Sequence, residues 1–270
     1  MNVWSLGSGS RGNALVLERD GQALLVDCGF GPRALASRLA LIGIEPTQII
    51  GLVLTHEHVD HASGAERAQH KWRWPVYASA GTLAALPDVT ARWRRPLAAG
   101  ERIDADGFAI EAGAIPHDAA EPLAYAITHE RSGHRVGIAH DLGAVPAALP
   151  ALFARCDVLC IEANHDAEML RTGPYAASLK ARIRGGRGHL DNHRTAALLA
   201  ELAHPQLRAI ALLHLSETNN TPELATQTVR SILRRAQVHT PVMAATGRAP
   251  SSLATANDRE RTVAQLSLPI

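Results

Sequence analysis

The sequence predicts an α/β layered domain, and three features predict it. Apolar strand-like runs alternate with segments of helical period, as an α/β architecture requires. Several of those runs end in a histidine or an acid, which puts reactive groups where strands give way to loops. No linker divides the 270 residues, a length that can bury one large core. One domain is therefore expected over residues 1–248, followed by a polar, weakly patterned tail over 249–270.

Taken in order, Val3 to Leu6, Ala14 to Glu18 and Ala23 to Val26 alternate or run apolar and read as an opening antiparallel meander. Gly7 to Gly12 is a glycine-serine turn, and no Lys follows it at the place a phosphate-binding Walker loop needs. Pro32 to Leu41 has a helical period after Gly31, and Ile49 to Leu54 is a buried strand. Ser63 to Gln69, Leu83 to Leu86 and Pro146 to Ala154 read as further helices. Between them lie strand-like runs at Phe108 to Ala112, Arg135 to Ala139 and Val158 to Glu162. Thr195 to Ala203 is the clearest helix, with Asp191 or Asn192 available to cap it. The apolar run Leu207 to Leu213 follows, then a helix opened by Thr221-Pro222-Glu223 and continuing to about Ala236, and Val238 to Ala244 closes the sheet. No repeat at a fixed period is visible.

Composition narrows the setting. No apolar stretch is long enough to span a bilayer, and the first residues show no signal-peptide pattern, so a cytoplasmic protein without a membrane partner is expected. Cys28, Cys156 and Cys160 lie in or beside apolar runs and read as reduced core residues; on a strand, Cys156 and Cys160 would share one face. A net charge of +1 does not mark a nucleic-acid binder. Local charge is more suggestive. Lys180, Arg182, Arg184 and Arg187 crowd together before His189, and Arg92, Arg94 and Arg95 surround Trp93.

The segment Thr55-His56-Glu57-His58-Val59-Asp60-His61 follows the strand Ile49 to Leu54. Imidazoles and carboxylates are what borderline divalent cations accept, and four such ligands at H-x-H-x-D-H spacing point to a metal site. This spacing resembles that of the metallo-β-lactamase superfamily. The resemblance implies an αββα four-layer sandwich and further ligands at later strand ends, which are present at His117, Asp141 and His214. It implies that His56, His58 and His117 hold one metal, that Asp60, His61 and His214 hold a second, and that Asp141 bridges them. The cofactors would be two divalent ions, Zn2+ or Mn2+. His140 stands where relatives more often carry a small residue or Thr.

Two further segments separate phosphodiester chemistry from other hydrolysis. Val158 to Asp166 is an apolar strand ending in Glu162-Ala163-Asn164-His165, which resembles the His-Glu-Ala-Thr segment of ribonuclease Z at its Glu-Ala pair. Gly188-His189-Leu190-Asp191-Asn192 resembles the Gly-His elements of ribonuclease Z and the β-CASP nucleases. That likeness implies His189 as general acid, Glu162 as its orienting base and Asp60 as the group orienting the nucleophile. Lys180, Arg182, Arg184, Arg187 and Asn192 are the candidate substrate contacts.

Over most of its length the chain resembles the WalJ/YycJ-type bacterial metallo-hydrolases, through Gly7 to Ala14, Thr55 to His61, Glu162 to Asp166, Gly173-Pro174-Tyr175, Leu179 to Ile183, Gly188 to Leu190 and His214 to Asn220. Asp191 departs from their usual Ser. The resemblance implies a DNA exonuclease acting from 5′ ends in DNA repair, with RNA not excluded as substrate, and without a β-CASP insert. Two other readings stand beside it: a small-ester, thioester or cyclic-phosphodiester hydrolase on the same fold, and a non-catalytic adaptor. The adaptor reading draws on the last six residues, Gln265 to Ile270, which resemble the bacterial sliding-clamp binding motif, with Gln265, Leu266, Leu268 and Ile270 as its contacts.

Overall fold

The computed structural model describes residues 1–255. Strands β1 (Asn2–Gly7), β2 (Ala14–Arg19) and β3 (Gln22–Val26) form the expected antiparallel meander. Helix α1 (Pro32–Leu41) follows, with Pro at its first turn, and β4 (Ile49–Val53) pairs parallel to β3. The helix expected over Ser63 to Gln69 is α3 (Ala65–Trp72), and a short helix the sequence reading did not include, α2 (Val59–Ala62), precedes it. Then come β5 (Val76–Ala78), α4 (Ala80–Ala84) and β6 (Arg94–Pro96); α4 lies a little before the Leu83 to Leu86 expectation because Ser79 caps it by accepting a hydrogen bond from the amide of Thr82.

The second half contains β7 (Arg102–Ala105), β8 (Phe108–Ala114), β9 (Leu123–His129), β10 (His134–Ala139), α5 (Leu149–Leu152) and β11 (Val158–Glu162). It continues through α6 (Ala167–Thr172), α7 (Ala177–Arg184), α8 (Asn192–Leu202), β12 (Ala209–Leu213), α9 (Pro222–Arg235), β13 (Val242–Ala244) and β14 (Ser251–Ala254). Asp191, not Asn192, caps α8: its Oδ1 accepts from the amides of His193 and Arg194. One helical and one strand expectation shrink. Pro146 to Ala154 yields only the single turn α5, and the strand expected from Val238 begins at Val242.

Two seven-stranded mixed sheets result, in the orders β14-β1-β2-β3-β4-β5-β6 and β13-β12-β11-β10-β9-β8-β7. Their facing surfaces enclose one apolar core: Leu15, Leu17, Leu24, Val26 and Val53 from the first sheet meet Phe108, Tyr125, Ile127, Ile138 and Leu213 from the second. Each outer face is covered by helices. Leu35 and Leu39 of α1 and Ala65 and Ala68 of α3 pack on the first sheet, and Leu199 of α8 and Val229 and Leu233 of α9 pack on the second. This is the helix-sheet-sheet-helix sandwich expected. Strands buried on both faces explain why β4, β11 and β12 read as continuous apolar runs rather than alternating ones.

Two expectations are corrected by this packing. Cys156 precedes β11 instead of lying on it, so its side chain joins the outer core while Cys160 joins the core between the sheets. Both are buried and unpaired, as is Cys28, and burial pushes the thiols of Cys28 and Cys156 up to about 12, which leaves them inert at neutral pH. The tail expected from residue 249 does not begin there: β14 pairs antiparallel with β1, and Leu253 is buried in the core between the sheets. The hexapeptide Gln265 to Ile270 lies outside the described residues. No helix among them is long and apolar enough to cross a membrane.

Candidate metal centre and active site

The site residues sit at the carboxyl ends of strands from both sheets, where open α/β folds present their ligand sites. His56 and His58 follow β4, and α2 carries Asp60 and His61. His117 follows β8, Asp141 follows β10, Glu162 ends β11 and His214 follows β12. Asp27, after β3, joins them. Asp27, Asp141 and His214 all adopt left-handed backbone, with φ of 61°, 47° and 52°. Non-glycine residues in that region store strain, which concentrates where a turn must aim a functional side chain.

Two groups of four converge: His56, His58, His117 and Asp141, and Asp60, His61, Asp141 and His214. Their spacing tests whether each could share a cation. Two ligand atoms bound tetrahedrally at zinc–nitrogen distances stand about 3.3–3.4 Å apart. In the first group His58 Nδ1 lies 3.3 Å from His117 Nε2, and Asp141 Oδ2 lies 3.3 Å from His56 Nε2 and 3.5 Å from His117 Nε2. In the second, His61 Nε2 lies 3.5 Å from Asp60 Oδ2 and 3.2 Å from Asp141 Oδ2, and His214 Nε2 lies 3.1 Å from Asp60 Oδ2. Asp141 Oδ2 thus belongs to both groups, the position a bridging carboxylate needs. His56 Nε2 is buried without a hydrogen bond, a vacancy in bonding that a cation satisfies. The residues fit a dinuclear centre of mixed imidazole and carboxylate ligands.

Electrostatics in the protein alone are consistent with this. Burial works against an ionised Asp60, yet hydrogen bonds from His214 and His61 hold it well below the usual carboxylate range. Burial likewise opposes charge on His61 and His214, but Asp141 outweighs it and raises both. A concentration of buried carboxylate charge that draws protons onto its imidazoles is one that divalent cations would neutralise in their stead.

A third group, Asp141, Glu162, His189 and His214, adjoins the first two. His189 Nδ1 lies 2.6 Å from Glu162 Oε1, while Glu162 Oε2 accepts from the amides of Leu142, at 2.7 Å, and Leu190, at 3.2 Å. Burial would raise the Glu162 pKa, but His189 holds it down to about 2. Burial would lower the His189 pKa, but the Glu162 carboxylate raises it. An ionised Glu162 requires the His189 Nδ1 proton to point at it, so Nε2 is the nitrogen left for the cleft. The loop before His189 is fixed from behind: its amide donates to Ile183 O at the end of α7, and a Cβ on Gly188 would sit 2.2 Å from that same oxygen.

The candidate substrate contacts divide. Arg182 faces the cleft and pairs with Asp118, Nε to Oδ2 at 2.7 Å, and Arg187 Nε donates to His117 O at 3.0 Å. Lys180 and Arg184 instead bond backbone oxygens of Arg171 and Lys180 and do not line the cleft. Asn192 is corrected outright. It is fully buried and exchanges amide hydrogen bonds with Asn220, at 3.0 and 2.9 Å, so it cannot touch a substrate. His165 is buried beside Asn164 and stands outside the ligand groups.

Four supporting residues escaped the sequence reading. Asp27 Oδ2 accepts from His61 Nδ1 at 2.8 Å and His140 Nδ1 at 2.7 Å, which gives His140 a place behind His61 instead of on a metal. Thr55 donates its amide and hydroxyl to the same carboxylate. Asn13 Nδ2 reaches His61 Nε2 and Asp60 Oδ2, and Ser8 Oγ accepts from the amide of His214. Asp27 did carry a signal, since it ends an apolar strand just as Asp141 does.

The family model described as the Beta-lactamase superfamily domain matches residues 22–215. The chain is 32% identical to Exodeoxyribonuclease YycJ of Bacillus anthracis over 84% of this chain and 87% of that protein. It is also 32% identical to Exodeoxyribonuclease WalJ of Streptococcus pneumoniae over 86% and 88%. Among solved structures, the metallo-beta-lactamase fold protein YhfI from Bacillus subtilis superposes with a TM-score of 0.70 at 17% identity, covering 93% of this chain and 98% of that one. The chain belongs to the metallo-β-lactamase superfamily. Within it, the protein is a metal-dependent hydrolase related to the YycJ and WalJ exodeoxyribonucleases.

Proposed function

We propose that the chain is a dinuclear-metal phosphodiesterase that removes nucleotides from DNA, from the 5′ end, as a cytoplasmic DNA-repair exonuclease. The observation that carries the phosphodiester reading is the Glu162–His189 couple beside both ligand groups; a thioesterase has no evident need of it. Likeness to two exodeoxyribonucleases over most of their length supports the choice of DNA.

In this reading His56, His58 and His117 hold one cation, Asp60, His61 and His214 the other, and Asp141 both. The donor set suits Zn2+ and also Mn2+. Bound cations acidify water and neutralise charge gathering on phosphoryl oxygens. The protein supplies the rest. The Asp60 carboxylate orients the attacking water, and His189, held by Glu162, delivers a proton from Nε2 to the departing oxygen. Such assistance is typically worth about 10²–10⁴ in rate.

The test is degradation of end-labelled single- and double-stranded DNA and RNA with added zinc or manganese. Loss of label from DNA first, and from the 5′ end, is expected; hydrolysis of thioesters alone would overturn the reading. His189→Ala should keep its metal content while turnover falls by about 10²–10⁴. Asp141→Ala should lose metal and activity together. If His189→Ala loses metal or keeps full activity, its assigned role is wrong.

The sequence of Gln265 to Ile270 supports a partner as well, the bacterial sliding clamp, bound through Gln265, Leu266, Leu268 and Ile270. A tethered peptide of modest affinity would raise the local concentration of enzyme on DNA. Titrating purified clamp with the wild type and a Gln265→Ala, Leu268→Ala double variant tests it; equal binding by both, or none by the wild type, rejects the clamp.

A further inference from the structure

Helix α7 is unusual in its packing. Alone among the described α-helices it buries none of its residues, although it stands beside the cluster of Asp141, Glu162, His189 and His214. Its inner face forms one wall of the cleft that opens over His189 and His214, a cleft of about 200 Å³. Leu179 and Ile183, one helical turn apart, line that wall, and Tyr175 lines it just before the helix begins. Leu179 is 37% exposed, one of four large apolar side chains exposed among the described residues. A second, Val59, is 78% exposed and stands in sequence between the candidate ligands His58 and Asp60.

Apolar and aromatic surface left uncovered at the rim of a charged centre calls for an occupant that is flat and apolar in one part and anionic in another. The basic groups indicate which. Arg182 projects from α7 with its side chain 65% exposed, and its guanidinium is parked on Asp118, Nε and a terminal nitrogen 2.7 and 2.6 Å from Oδ2. That pairing offsets the Asp118 carboxylate and holds a guanidinium at the opening, where it can turn to a phosphate. The cleft is too small for a base pair, and a base can lie on such a wall only out of its stack.

We propose that Tyr175, Leu179 and Ile183 form the seat for the unpaired terminal nucleobase of the substrate strand, with Arg182 on an adjoining phosphate. This deepens the nuclease reading and rests on it. Stacking on an aromatic ring accepts any base, so the seat selects for a single-stranded end and not for sequence. The seat is also coupled to the chemistry: Ile183 O accepts from the amide of His189, so the wall that holds the base and the histidine that serves the leaving oxygen are joined by one hydrogen bond.

The test pairs protein variants with two oligodeoxynucleotides, one complete and one lacking only its terminal base. Cleavage and equilibrium binding by fluorescence anisotropy are both measured with the metal-loaded full chain. The wild type should prefer the complete strand by about 5- to 100-fold, the range of base–aromatic stacking. Tyr175→Ala should collapse that ratio towards one, and Tyr175→Phe should keep it. Arg182→Ala should weaken both strands and leave the ratio in place. An unchanged ratio in Tyr175→Ala, or no preference in a wild type that cleaves both strands, overturns the seat while sparing the nuclease reading. Binding with a preference that Tyr175→Ala removes, but without cleavage, sustains the seat and overturns the nuclease reading. Neither binding nor cleavage overturns both.

Discussion

The Asp27 carboxylate accepts from two imidazoles and from Thr55 at once. Oδ2 takes His61 Nδ1 and His140 Nδ1, and Oδ1 takes the Thr55 amide at 2.8 Å. Burial alone would raise its pKa, but His61 and His140 hold it far below the carboxylate range, so it stays ionised and fixes which His61 nitrogen faces the cluster. Outer partners of this kind typically contribute 10- to 100-fold to metal affinity. Asp27→Asn should therefore lower affinity at the Asp60–His61–His214 group by about that factor while sparing the other group, read as a fall from two ions to one per chain in metal titrations. Unchanged stoichiometry and affinity would show that Asp27 only supports the fold. This residue was within reach of the sequence, because a polar group closing an apolar strand is how His117, Asp141 and His214 were found. A single acid after a strand is common, however, whereas four ligands within six residues are not. Asn192 misled for the opposite reason. An amide at a helix start beside His189 reads as exposed, and only its partner Asn220, distant in sequence, reveals that it is buried.

At the scale of elements, the turn that carries Asp60 and His61 is strapped to two loops by backbone hydrogen bonds. Asn13 N donates to Asp60 O at 2.8 Å, Cys28 N to His61 O at 2.6 Å, and Gly64 N to Cys28 O at 2.8 Å. So close an approach leaves no room for a side chain at Gly29, where a Cβ would lie 2.0 Å from Asp60 O. Gly29→Ala must push α2 outward. The expected outcome is a folded protein of reduced melting temperature whose second group binds metal weakly; wild-type metal content and activity would show that the strap can yield. Long elements such as α1, α9 and the buried strands were legible because their periods are sustained. The short ones were not: β5, β6, β7 and β14 run three or four residues, too few for alternation to register, and α5 keeps one turn of an apolar stretch. Helix α7 went unread because a cleft, not the core, receives its apolar residues.

At the scale of the whole molecule, the two sheets share one site. The first supplies Asp27 and the His56–His61 turn, and the second supplies His117, Asp141, Glu162 and His214. A cation held by His56 and His117 would tie the sheets together, so metal binding would add to folding stability. At a hundredfold excess over its dissociation constant one ion contributes about 2.7 kcal/mol, which for a domain of this size corresponds to roughly 5–10 °C. Chelation should lower the melting temperature by about that amount, reversibly on adding zinc; an unchanged melt would place the ligand groups outside the cooperative unit.

The first sheet is also closed late in the chain, and this sets where the domain can be cut. Strand β14 covers the free edge of β1, pairing Val3 with Ala254, Trp4 with Ser252 and Ser5 with Ser251. Leu253 fills the end of the core between the sheets with 1% of its surface exposed. Removing the strand exposes that leucine's cavity, worth about 1.5–3 kcal/mol of apolar burial, and leaves β1 as an open edge prone to pairing with other chains. A chain ending at Arg248, the boundary the sequence pointed to, should melt roughly 5–10 °C lower than one ending at Thr255 and aggregate on heating. The site lies at the opposite ends of the strands, so residual hydrolysis at low temperature should survive in both truncations. Equal melting temperatures for the two would show that β14 adds nothing to the sheet it borders and would return the domain boundary to residue 248.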